Sequence, residues 1–360
     1  MTYGPGVFLL KDGDMIMSNT PKIFTTISDQ IQKQISRGLQ ITDDEATRRI
    51  IQSENYYKIF NGYKELFLDL TYTGTDEKYL VGTKFEEIYS LFLFDRNLRN
   101  IFMKYILEIE NNIKSVLAHD FSQKYGYDNY LRIDNFNTAV HPRENKTQAQ
   151  KIGEISDLIA NLQREIARQL SKNNPMISHY MLEYGYIPLW VLVNTLTLGA
   201  ISIFYTNLKQ QDQNDIGRFF HLRPNELNSI LKVLSIFRNA CAHDERLYNL
   251  KSLTRNGRPN NIATLSLHNS LNIPTNRGNN QLQGKNDLFA IVLIFKTMLS
   301  DRSFKSFYRS LDIQLKELSQ KLSTIEIHTV EAAMGFVGNW RDLNPFMESG
   351  RYDTINIETS

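Results

Sequence analysis

The segment Arg238-Asn239-Ala240-Cys241-Ala242-His243 places a guanidinium and an imidazole five positions apart at the end of an apolar stretch. The guanidinium stays charged and grips phosphate in a planar fork. The imidazole titrates near neutrality and can take or give a proton. These are the two groups that phosphoryl transfer on RNA needs when no metal takes part. Spacing alone decides little: with 20 arginines and seven histidines in 360 residues, such a pair is expected roughly 0.4 times by chance. On a helix, five positions lie about 140° apart, so Arg238 and His243 do not share one stripe. Asn239 and His243 do share a face, where the amide is placed to orient the imidazole. Arg246 adds a second cation nearby. The competing reading is plainer: cations at a helix C-terminus favour the negative end of its dipole.

The segment after the pair extends the chemistry. Between Arg246 and Asn286 there is no Asp or Glu, whereas Arg246, Lys251, Arg255, Arg258, Arg277 and Lys285 are cationic. Rich in Asn, Gly and Ser, the span reads as a loop able to contact RNA phosphates and base edges. Asp244 and Glu245 beside His243 work against phosphate.

Helices must position these groups. Ser28 is placed to cap a helix through Arg37, with Gly38 ending it. Thr42 and Glu45 have capping-box spacing for a helix toward Tyr57, and Thr83 and Glu86 repeat it before a long helix from Phe85 to about Tyr125. Within that helix, Asp95–Arg99 and Glu110–Lys114 have the spacing of surface ion pairs. Residues 126 to 147 read as an irregular connection, followed by a polar helix over about 149 to 172. Ile187 to Tyr205 is uncharged and long enough to cross a bilayer, but Asn194, Thr195, Thr197 and Ser202 favour a buried central helix. Pro224 opens the helix that carries the pair, Asn225 to Ala242. Further helices are expected over Leu288 to Leu299 and about Phe304 to Leu322, with room for short strand pairing near Ile325 to His328.

The fold expectation is therefore all-α, a helical bundle with an N-terminal helical extension. Residues 1–82 form the extension, 83–326 the bundle, and 327–360 a C-terminal segment packing on the bundle, then a tail. The net charge of +2 excludes a broadly basic nucleic-acid binder, so any basic surface is local. The lone Cys241 excludes an internal disulfide and suits a reducing, cytoplasmic setting. The first residues lack the pattern of a secretion signal. His119, His141, His179, His221, His268 and His328 have no companion at metal-ligand spacing, so neither a metal nor a cofactor is expected. Gly-rich phosphate loops and serine-hydrolase elbows are absent.

Several short motifs occur in a telling order: Asp29-Gln30-Ile31, Arg37-Gly38-Leu39-Gln40-Ile41, Asn55-Tyr56-Tyr57, Gly62-Tyr63 and Phe94-Asp95-Arg96-Asn97-Leu98-Arg99. Then come Glu108-Ile109-Glu110, Ile187-Pro188-Leu189-Trp190, Leu196-Thr197-Leu198-Gly199, the stretch from Arg238 to Asn249, and Met334-Gly335-Phe336-Val337-Gly338-Asn339-Trp340. Over about residues 22 to 340 this order resembles the Abi-like abortive-infection proteins of bacteria, in the AbiD/AbiF group. The resemblance implies a HEPN-type bundle whose Arg-x4-His motif is a ribonuclease signature, similar to that of RNA-targeting type VI CRISPR nucleases. Carried over by position, Arg238 and His243 are the catalytic pair and Asn239 the polar residue that often follows the Arg. Asp244 stands where many members have a second His. The resemblance also implies phage defence by growth arrest, with some relatives held inactive by a small RNA.

On this reading the ribose 2′-OH is the nucleophile, and RNA rather than DNA the substrate. In-line transfer wants a base and an acid while each chain offers one convincing His, so a homodimer is expected to complete the site. Two other classes stay open. One is a non-catalytic module whose Arg and His grip a regulatory RNA. The other, membrane disruption through the uncharged stretch, is the weaker.

Overall fold

In a computed structural model, the described residues are 24–140, 146–278 and 280–346. The readings made on the chain's first residues, on His141 and on the tail beyond 346 lie outside them. The described residues hold fourteen α-helices, and extended pairing among them is limited to isolated bridges such as Gln40 with Lys84. The fold is all-α.

The chain divides into two compact units. The first comprises residues 24–94, 253–259 and 317–329. It contains α1 (Ile27–Ser36), α2 (Asp44–Glu54), α3 (Tyr56–Tyr63) and the opening turns of α4 (Phe85–Tyr125). Thr26, not Ser28, caps α1, because its hydroxyl accepts from the Asp29 N–H while Asp29 accepts from the Thr26 N–H. Gly38 ends that helix as expected, at φ +95°. Asp43, rather than Thr42, caps α2. The helix expected to reach Tyr57 breaks at Asn55, which adopts a left-handed φ of 67° and caps α3 with its own side chain. Ile31, Ile51, Ile59, Phe60, Phe67, Phe85 and Phe92 fill the core, with Tyr63 edge-on to Phe92 at 5.3 Å.

The second unit comprises residues 95–252, 260–316 and 330–346. It holds the rest of α4, then α5 (Gln148–Ser171), α6 (Pro175–Tyr184), α7 (Leu189–Leu192) and α8 (Leu198–Asn207). After these come α9 (Gln210–Phe219), α10 (Pro224–Ala242), α11 (Ser266–Ser270), α12 (Leu288–Met298) and α13 (Asp301–Ser319). The last residues of α13 and the start of α14 (Ile327–Ala333) fall in the first unit. That final helix occupies the place where short strand pairing was open. The core is aromatic: Phe102, Phe295 and Phe307 meet at 4.8 to 5.5 Å, and Phe121, Phe136 and Phe204 at 5.3 to 5.7 Å.

The uncharged stretch is not one helix. It forms α7, a 3-10 turn over Val193–Thr195, and α8, which Thr197 caps through the Ala200 N–H. The polar side chains cause the break: Asn194 donates to the carbonyls of Trp190 and Val191, and Thr195 to that of Leu192. Nor is it wholly buried, since Trp190 is 47% and Ile203 52% exposed. Among the described residues no helix is long and apolar enough to cross a membrane.

Candidate functional site

The site is built from two helices of the second unit. Pro224 opens α10 at its first turn, where a missing N–H costs nothing, and Glu226 accepts the Arg223 N–H at 2.7 Å. Leu227, Ile230, Leu231, Leu234 and Phe237 are fully buried, anchoring one face of α10 and leaving Arg238, Asn239 and His243 at its rim. Asp95 of α4 meets the chain just beyond α10, while Glu110 of α4 meets Arg238. The two helices therefore run antiparallel.

His243 caps α10, its N–H donating to the Asn239 carbonyl at 3.0 Å. Asp244 follows in the left-handed conformation at φ 56°, and the Glu245 N–H closes the end on the Ala240 carbonyl. A non-glycine residue there needs support, and α4 supplies it. Arg99 Nη2 lies 2.5 Å from Asp244 Oδ1, and Arg99 Nη1 2.6 Å from Asp95 Oδ2. Asp95 in turn accepts the backbone N–H groups of Leu247 (3.1 Å) and Tyr248 (2.6 Å). Expected on the surface, the Asp95–Arg99 pair is instead buried, with side chains 0% and 5% exposed. It fixes the backbone on the far side of His243.

Glu110–Lys114 is buried as well, at 4% and 9% exposure. Lys114 Nζ sits 2.7 Å from Glu110 Oε1, and Arg238 Nε 3.4 Å from Glu110 Oε2. One carboxylate thus serves two cations. Arg238 remains about a quarter exposed, and neither of its Nη groups has a partner among the described residues. It is anchored by one edge and open at the other.

His243 is exposed, and its imidazole makes no hydrogen bond with any described residue. The expectation that the Asn239 amide orients it is not met: only the backbone bond joins the two, and the exposed Asn239 amide is uncommitted. No hydrogen bond joins Arg238 to His243 either, in keeping with their separation around the helix. Burial, then the nearby Asp95, pushes the Cys241 thiol up to about 12, which makes it no nucleophile. Among the described residues no group of three His, Cys, Asp or Glu side chains is placed to hold a metal ion.

The acid-free span is less of an open loop than its composition suggested. The Ser252 and Ile262 N–H groups donate to the carbonyls of Asn286 and Lys285, at 2.6 and 2.8 Å. Buried His268 bridges it, accepting the Leu265 N–H at Nδ1 and facing the Gly284 carbonyl from Nε2. Its cations are dispersed. Arg255 and Arg258, both exposed, belong to the first unit, whereas Arg246, Lys251, Arg277 and Lys285 belong to the second. Lys251 lies 3.4 Å from buried Asp287, and burial lowers the affinity of Lys285 for its proton. Arg277 is exposed and Arg246 half-buried.

An all-α protein with a cationic, histidine-bearing helix end is the class these features define. The family model described as Abi-like protein matches residues 49–249, and the chain belongs to that family. The matched span holds Asp95, Arg99, Glu110, Lys114, Arg238, His243 and Asp244. No curated protein and no solved structure matches the chain.

Proposed function

We propose that the chain is a metal-independent HEPN-type endoribonuclease of an abortive-infection system, with residues 83–326 as its catalytic bundle. One observation carries this reading: Arg238 and His243 stand at the open end of α10, with Arg238 anchored by buried Glu110 and the chain after His243 clamped by Asp95 and Arg99. Membership of the Abi-like family supports the defence setting. Preorganised charge of this kind is what stabilises a transition state without reorganisation at the moment of reaction.

In the reaction, one His243 takes the proton of a ribose 2′-OH and the 2′-oxygen attacks the adjacent phosphorus. The bond to the 5′-oxygen breaks, that oxygen receives a proton from a second imidazole, and a 2′,3′-cyclic phosphate remains. The Nη groups of Arg238 neutralise the phosphoryl oxygens. Asn239 offers its amide to the same phosphate or its sugar. A second copy of the chain supplies the second His243, because in-line transfer wants both a base and an acid and each chain brings one His at the end of α10. Within the second unit Arg246, Lys251, Arg277 and Lys285 contribute phosphate contacts, the exposed ones most. A small regulatory RNA is a further partner of the same surface.

A second reading, RNA grip without cleavage, is favoured by the imidazole of His243 having no partner to orient it. Incubation with single-stranded RNA in EDTA separates the two. Wild type is expected to cleave, and Arg238→Ala and His243→Ala to lose cleavage, as does a substrate with a single 2′-deoxy at the cut site. Cleavage that needs added metal, or that survives both substitutions, contradicts the proposal. Sedimentation of the active species tests the composite site, for which a dimer is expected and an active monomer is the contrary result.

A further inference from the structure

A cleft of about 670 Å³ lies within the second unit, between α4 and the turn that joins α7 to α8. Its α4 wall presents Asn111, Lys114, Ser115 and His119, and its other wall Trp190 and Asn194. No carboxylate lines it. The nearest acids on this part of α4 are already committed, Glu110 to Lys114 and Arg238, and Asp120 to Lys124. The lining thus offers one imidazole, amides and hydroxyls, and a single large aromatic face, over the buried Lys114 ammonium that Glu110 holds. The Trp190 side chain is half-exposed, which a tryptophan in a folded core seldom is.

The cleft is joined to the site described above through one side chain. Lys114 lines the cleft and shares Glu110 with Arg238, one helical turn away. His119, by contrast, lies nine residues along α4 from Glu110, about 13 Å by helical rise. That is too far for His119 to share a proton transfer at Arg238, but it is the reach of about two nucleotides. A separate aromatic cluster meets the start of α7. The Leu189 N–H donates to the Tyr127 carbonyl at 3.0 Å, and the Tyr127 ring stacks on Tyr186 at 4.4 Å, with exposed Tyr184 next in line.

We infer that this cleft is a subsite for single-stranded RNA, in which a base stacks on Trp190 and its backbone passes the exposed Ser115 and His119. An exposed aromatic face among hydrogen-bonding groups is what an unpaired base recognises, since every base has a π-face and a duplex hides it. Asn111, Ser115 and Asn194 face the edge of the stacked base. The inference rests on RNA being the substrate of Arg238 and His243 and adds where the strand runs beyond the cut.

The test uses the full chain and a short, labelled 2′-fluoro RNA, which lacks the attacking hydroxyl and cannot be cut. Anisotropy is expected to show binding of the single strand and not of the same sequence as a duplex. Trp190→Ala is expected to weaken binding about tenfold, while Trp190→Phe keeps most of it. Ser115→Glu, at an exposed position that puts a carboxylate into the cleft, is expected to weaken it comparably with unchanged thermal stability. Wild-type affinity in both Trp190→Ala and Ser115→Glu, or equal binding of the duplex, overturns the inference. Binding that obeys these expectations without cleavage of ordinary RNA sinks the ribonuclease reading and leaves the cleft standing. Cleavage that ignores Trp190→Ala and Ser115→Glu does the reverse.

Discussion

Arg99 holds Asp244, the residue next to His243, with 2.5 Å between Nη2 and Oδ1. They stand 145 residues apart in the chain, yet the contact sets where the helix carrying His243 ends. Asp95 completes the clamp by accepting two backbone N–H groups further on. The imidazole itself stays exposed, so what α4 controls is the backbone under it.

Removing Arg99 takes a guanidinium from the buried Asp95 carboxylate, which keeps its backbone donors. Arg99→Ala is expected to cost about 3–5 kcal/mol of stability, read from urea unfolding. Asp244→Ala, which loses a half-exposed partner, is expected to cost about 1 kcal/mol or less. Near-equal losses would show that the buried pair does not carry the clamp.

Glu110 positions Arg238 and also balances Lys114. Glu110→Gln is expected to lose about 2–4 kcal/mol and most RNA cleavage together. Adding Lys114→Met removes the stranded ammonium and is expected to return part of the stability but not the cleavage. Lys114→Met alone leaves Arg238 on Glu110 and is expected to keep most of the cleavage. Cleavage returning in step with stability would mean that Glu110 matters for folding alone.

The Asn239 side chain makes no hydrogen bond with a described residue. Asn239→Ala is therefore expected to leave stability within about 0.5 kcal/mol while lowering cleavage several-fold. A large fall in melting temperature would show the amide to be structural.

Burial lowers the proton affinity of His268, whose Nδ1 must stay unprotonated to accept the Leu265 N–H. An unfolded chain takes up this proton near pH 6.5, the folded chain only lower. This group's stabilisation is therefore complete above about pH 6.5 and is lost as pH falls through the folded value. Melting temperatures between pH ~7.5 and ~5.5 are expected to fall more in wild type than in His268→Gln. Parallel slopes would contradict that assignment.

Much of this was legible in the chain. The bounds of α4 and the start of α10 follow from apolar spacing and from Pro224, and the Arg238–His243 pair from residue type. The burial of Asp95–Arg99 and Glu110–Lys114 was not, because spacing at i and i+4 is the same for a surface pair and a core pair. A faint signal existed: Asp95 sits between Phe94 and Leu98, both buried. Helix caps were misplaced by one or two residues where Thr26 and Asp43 competed with Ser28 and Thr42. The breaks at Asn55 and within 187–205 arise from side chains bonding their own backbone, a choice that apolar periodicity does not record.

The most direct measurement is the chemistry of the RNA ends made in EDTA. Mass spectrometry of the products is expected to show 2′,3′-cyclic phosphates and 5′-hydroxyls with wild type and uncut RNA with His243→Ala. Products bearing 5′-phosphates, or the same products from His243→Ala, would contradict a metal-free site built on Arg238 and His243.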